Sequence, residues 1–197
     1  LRDAGRSDFV LGPRFATTFY RVNCKRPPFD NPDLRKALSL AIDREALCTH
    51  LLRLGETPAY TYVPPSGIPL MPRTLDDGRV VHYEPPLGLG QDLPREARLA
   101  LAREHLRRSG FDQIAARRPI EIMISNEQEH RLVAEATQQM WERELGIRVE
   151  LRQLESKVIS SRIRALDYDV ARANWFGDYL DPTTFLDINR TADGNND

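Results

Sequence analysis

The richest chemistry in the chain lies in ARANWFGDYLDPTTFLD, where an aromatic pair, a glycine and two acids directly follow a predicted strand. In open α/β sheets, ligands bind in the crevice outside the carboxyl ends of the strands, and Trp175, Phe176, Asp178 and Tyr179 would project from such an end. A carboxylate beside an indole suits a cationic amine carried on an apolar body. The charge-assisted hydrogen bond orients the ammonium, and a ring face adds about 0.5 to 2 kcal/mol once water is excluded. The competing reading puts Trp175 in the core and has Asp181, ahead of Pro182, merely start a helix.

No catalytic constellation accompanies this segment. His50, His82, His105 and His130 coexist with acids, Ser and Cys, but the chain holds no GxSxG, HExxH, P-loop or GxGxxG pattern. Each histidine therefore reads first as a structural residue, and His105, among Arg103, Glu104 and Arg107, reads as part of a solvated helix face. Asp76 and Asp77 read as turn residues. Cys24 and Cys48 lie in no metal-type spacing and form no CxxC pair, so both read as packing residues, with a disulfide between them left open. No metal and no cofactor is expected. Lys+Arg 28 against Asp+Glu 29, a formal net charge of -1, gives no field to attract nucleic acid or an anionic membrane. No apolar run approaches the roughly 20 residues that span a bilayer. The opening LRDAGRSDFV has none of the regions of a signal peptide. With Leu1 first and a polar TADGNND last, the chain is expected to be cut from a longer protein.

The elements that must position these residues follow from periodicity. FATTFYRV, residues 15–22, alternates like a strand with one buried face. Pro27, Pro28 and Pro32 then force an extended turn. Leu34, Ala37, Leu38 and Ala41 predict a helix, and Asp43 caps a second through Leu47, Leu51 and Leu54 that stops at Gly55. From Glu56 to Leu93 the chain is too rich in Pro and Gly for long elements and reads as a long structured loop, a kind that is often functional. Pro94 opens a helix with Leu99, Ala102 and Leu106 on one face, closed by Gly110 with Phe111 as its hydrophobic contact. PIEIMI reads as a strand. A helix over 127–145 carries a stripe of Leu132, Val133, Ala136, Met140 and Leu145 and is closed by Gly146. IRVELRQL is a strand, KVISSRIRAL a shorter helix and DYDVARA the last strand. Such alternation predicts an α/β layered fold, with residues 1–197 as a single domain.

In sequence, YRVNCKRPPFDNPDLRKALSLAIDREAL resembles a segment of the family 5 extracellular solute-binding proteins, the oligopeptide- and dipeptide-binding components of ABC importers. GETPAYTYVPP, ARLALAREHLRRSGF, WERELGIRVEL and DYDVARANWFGDYLDPTTFLD follow in that family's order, so the resemblance covers nearly the whole chain. It implies the C-terminal lobe of a two-lobed periplasmic-binding-protein-like fold of type II, class C, with the N-terminal lobe absent. It also implies a monomeric, non-enzymatic, periplasmic or otherwise extracytoplasmic receptor that captures oligopeptides and hands them to permease subunits. On this resemblance Asp178 is the partner of the peptide α-amino group and Trp175 a pocket wall. Arg172 and His130 are cationic residues that receive the carboxyl end of certain peptides. Other branches of the family take nickel or haem. Two readings from other classes remain beside it: a solute-binding-like sensor domain of a transcriptional regulator, and a hydrolase on an unfamiliar fold.

Overall fold

The computed structural model describes residues 14–64, 73–81, 84–111 and 118–190. Strand β1 (Ala16–Val22) leads through the Pro-rich turn into α1 (Pro32–Leu40). The Asn31 side chain accepts a hydrogen bond from the Asp33 N–H at 2.9 Å and Pro32 sits at the first helical position, both standard ways to begin a helix. Asp43 caps α2 (Arg44–Ala46), its side chain accepting from the Ala46 N–H, as the sequence predicts. The helix then widens into a π-helical stretch, Leu47–Leu52, and ends at Arg53 in the left-handed region (φ 59), two residues before the expected Gly55 stop.

Among the described residues of the expected long loop, 56–64, 73–81 and 84–93, the one regular feature is a small ribbon, β2 (Arg73–Thr74) paired with β3 (Val80–Val81). Tyr60 anchors the loop. Its hydroxyl donates to Glu45 and accepts from Arg98 Nη1 at 2.7 Å, and the Arg44 guanidinium lies 4.9 Å from its ring centroid. Gly88 lies so close that a Cβ there would come within 2.5 Å of Tyr60 Cβ. Burial and the bond to Glu45 push the Tyr60 phenol up to about 12.

Helix α3 (Arg95–Ser109) ends at Gly110 (φ 68), with Leu99, Ala102, Leu106 and Phe111 buried as expected. There follow β4 (Ile120–Ile124), α4 (Gln128–Leu145), β5 (Val149–Gln153), α5 (Ser156–Arg164), β6 (Val170–Phe176) and α6 (Thr183–Leu186). The sheet order is β1-β6-β4-β5, with β4 parallel to β5 and β6, and β1 antiparallel at the edge.

Strand alternation sorts the side chains into two layers. Tyr20, Val22, Ile120, Ile122, Ile124, Val149, Leu151 and Val170 face α1, α3 and α4 in the main core. Met123 and Ala171 face the other way, onto Ile159 of α5 and onto Tyr168, which lies just before β6. At the amino end of β6, Asp169 is 1% exposed and accepts a bidentate pair from Arg118 at 2.7 and 3.0 Å and the Glu121 N–H at 3.1 Å, which ties β4 to β6.

Three expectations are corrected. Helix α4 buries Val133, Ala134, Thr137, Trp141 and Leu145, whereas Leu132 is 42% exposed, so the stripe is rotated from the predicted one. Trp141 sets that rotation: it is 2% exposed and donates its indole N–H to the Leu38 carbonyl at 2.9 Å. His105 is buried, not solvated, with Nδ1 2.6 Å from Asp33 Oδ1. Cys24 is exposed and so is no packing residue, while Cys48 is partly buried, and both thiols are free. His82 lies outside the described residues.

Candidate functional site

Strand β6 runs through Trp175 and Phe176, so these residues belong to the strand and not to the segment after it. Trp175 pairs in register with Thr17, and Arg172 with Tyr20. An odd separation of three along a strand sends the two side chains to opposite faces. The four candidate residues therefore form two groups at the carboxyl end of the sheet.

The first group is Trp175 with Asp178. Trp175 is half-buried in an aromatic cluster with Phe15, Tyr62, Val63 and Phe185, in which the Phe15 and Phe185 rings meet edge to face at 4.8 Å. Its indole N–H is buried with no partner among the described residues, as are the Tyr62 hydroxyl and Thr17 Oγ1. Burial pushes the Tyr62 phenol up to about 12. Just beyond the strand, the Gly177 N–H donates to the Phe15 carbonyl at 2.7 Å, and the Asp178 N–H donates to Thr184 Oγ1 at 3.0 Å. Asp181 Oδ1 accepts from the Thr183 N–H at 2.9 Å and holds the start of α6, the structural role weighed for it. The backbone of Asp178 is thus fixed from both sides. Its side chain is exposed and makes no ion pair or hydrogen bond to another described residue. A carboxylate with a fixed backbone and no partner among the described residues, three positions after an indole, can hold a cation.

The second group is Arg172 with His130, on the α4 face. The Arg172 side chain is only 5% exposed; Nη2 lies 3.4 Å from Glu129 Oε1, and Nε is buried with no acceptor among the described residues. Burial is the main influence lowering its pKa, with Glu129, Tyr20 and Glu127 acting the other way. Tyr20 donates to Thr137 Oγ1 at 3.2 Å, and burial raises its phenol. His130, in the first turn of α4, has Nδ1 2.5 Å from Ser125 Oγ and Nε2 3.2 Å from Glu127 Oε2. Burial, then the charge of Arg172, hold the imidazole below its ordinary 6.5. Sequence reasoning singled out the cation pair but passed over Glu127 and Glu129. The signal was present in EQEH, two acids within three positions of the histidine. Among the described residues no group of His, Cys, Asp and Glu is arranged to hold a metal, and no helix is long and apolar enough to cross a membrane.

An α/β sheet with its polar groups gathered at the carboxyl strand ends is the layout of a ligand-binding lobe. The profile of the "Bacterial extracellular solute-binding proteins, family 5 Middle" matches residues 1–197, and the chain belongs to that family. It is 30% identical over 188 residues to the periplasmic oligopeptide-binding protein OppA of Salmonella typhimurium, covering 94% of this chain and 32% of that protein. With the oligopeptide-binding protein OppA of Bacillus subtilis it shares 26% identity over 182 residues, covering 90% and 30%. Among solved structures, Haemophilus influenzae OppA in complex with RPPGFSPFR superposes with a TM-score of 0.75 at 31% identity, covering 93% of this chain and 34% of that one. Burkholderia pseudomallei OppA, at 24% identity and a TM-score of 0.80 over 94% of this chain and 34% of that one, shares the fold. The chain thus spans about a third of the length of the relatives it matches.

Proposed function

We propose that residues 1–197 form one domain, the C-terminal lobe of a two-lobed, non-catalytic oligopeptide receptor that works outside the cytoplasm and delivers its ligand to the permease of an ABC importer. The observation that carries this reading is Asp178, an exposed carboxylate without a partner among the described residues, whose backbone is fixed by Gly177 and Thr184 next to the Trp175 cluster. In the closed receptor, Asp178 takes the peptide's α-ammonium and Trp175 walls the adjoining pocket. Arg172 and His130, on the other face of β6, receive a carboxyl end when the ligand's length brings it there. Middle residues of the peptide are held through backbone hydrogen bonds, with side chains in wet pockets, which makes recognition tolerant of sequence. The family membership and the names of the relatives support this reading.

The test is calorimetric titration of the whole receptor with a mixed tri- to pentapeptide pool, wild type against Asp178→Ala. Wild-type binding at micromolar affinity or tighter, weakened by about 2 to 5 kcal/mol in the variant, is the expected result, since truncation leaves the ligand's ammonium buried and unpaired. No binding by the wild type would overturn the peptide reading, and undiminished binding by the variant would remove Asp178 from it.

A further inference from the structure

The two basic side chains on the α4 face are not waiting empty. Arg172 and His130 are each met by an acid from the turn that opens α4, Glu129 at 3.4 Å from Arg172 Nη2 and Glu127 at 3.2 Å from His130 Nε2. A guanidinium offers a side-on edge, Nε with Nη2, that fits a carboxylate through two parallel hydrogen bonds. Here Nη2 makes one long contact and Nε, fully buried, has no acceptor. The Glu129 side chain that makes this contact is 56% exposed and that of Glu127 is 70% exposed, against 5% for Arg172. The buried edge is therefore half used, by a loosely held group that can swing into solvent. Burial and Arg172 keep His130 from adding a second full cation at neutral pH, so one guanidinium faces two carboxylates.

We propose that Glu129, assisted by Glu127, is a built-in substitute for a ligand carboxylate. It occupies the Nη2 half of the Arg172 edge in the empty protein, must be displaced before a ligand's carboxyl end can use the whole edge, and so lowers the receptor's preference for free C-termini over neutral ones. The inference rests on the peptide-receptor reading above and adds to it the pair of residues that sets this preference. A ligand whose chain runs past Arg172 without presenting a carboxylate there has nothing to displace.

The experiment titrates the whole receptor at neutral pH with alanine peptides of two to five residues, each as free acid and as C-terminal amide. Wild type is compared with Glu129→Gln, Glu127→Gln and the double variant. At the length that reaches Arg172, Glu129→Gln should raise the ratio of acid to amide affinity about 2- to 5-fold, the scale of one partly exposed charge contact, and leave the amide affinity where it was. The double variant should raise the ratio further. An unchanged ratio in receptors that still bind the amides would overturn the inference and leave the receptor reading standing. If neither acids nor amides bind the wild type, the receptor reading falls and takes the inference with it. Asp178→Ala separates the two sites, because it should weaken acids and amides alike.

Discussion

A Cβ on residue 177 would lie 2.3 Å from Phe15 Cδ1 and 3.1 Å from Thr184 Cγ2, and Phe15 is itself wedged against Phe185 in a cluster with little room to move. Gly177 is thus demanded by close approach, and through it the position of Asp178 depends on an aromatic core. Gly177→Ala should cost about 1 to 3 kcal/mol of stability, the usual cost of overpacking, read from chemical denaturation. It should also weaken peptide binding although the Asp178 carboxylate is untouched. Full affinity in a destabilised variant would mean that Asp178 finds its ligand without this support. At this scale the sequence was informative where chemistry is local: a carboxylate just after an aromatic pair is visible in WFGDY. It was silent on what lies across the fold, since nothing near Arg172 in sequence reveals that its partner is Glu129, 43 positions away.

Between elements, the pair Asp33–His105 ties the start of α1 to α3 at 2.6 Å. The hydrogen bond from His105 is the largest influence holding the Asp33 carboxyl below its ordinary 3.8, with the charges of Arg108, His105 and Lys36 adding to it. A carboxyl whose pKa is lower in the folded state contributes stability that is complete above its unfolded value and disappears as pH falls through the folded one. Asp33→Asn should therefore be less stable than wild type near neutrality, and the gap should narrow as pH drops below about 4. Urea midpoints measured from pH 7 to 3 read this directly, and a gap that stays constant over that range would contradict it. His105 was misread from sequence because its neighbours Arg103, Glu104 and Arg107 look solvated, and no local pattern reports a partner 72 residues earlier. The α4 stripe failed for a related reason. Counting aliphatic residues favoured Leu132 and Met140, but burial followed the largest side chain, Trp141, which needed both a cavity and an acceptor for its N–H. Helix ends were legible where glycine enforces them, at Gly110 and Gly146, and were missed where Arg53 takes the left-handed conformation instead.

Across the whole molecule, the order β1-β6-β4-β5 puts the last strand of the described sheet between the first and the middle ones, a pairing that no sequence period encodes. That order carries Trp175 to a rim where Phe176, Tyr179, Leu180 and Leu186 are each between 43% and 51% exposed, in the same stretch as Asp178, which has no side-chain partner among the described residues. Several large apolar side chains around one carboxylate make a surface suited to being covered, and in the proposed receptor the ligand and the opposing lobe cover it. The chain's two tryptophans allow this to be observed. Trp141 is 2% exposed with its N–H bound to Leu38, so its solvent contact and hydrogen bond should change little when ligand covers the rim. Trp175 is half-buried, its N–H lacks a partner, and closure over the rim would change both its solvent contact and its hydrogen bonding. Peptide added to the whole receptor should therefore produce a saturable change in tryptophan emission, and Trp175→Phe should remove a defined share of it at matched saturation. Ligand-induced difference spectra that are identical in the two proteins would place Trp175 away from the ligand and return it to a purely structural role.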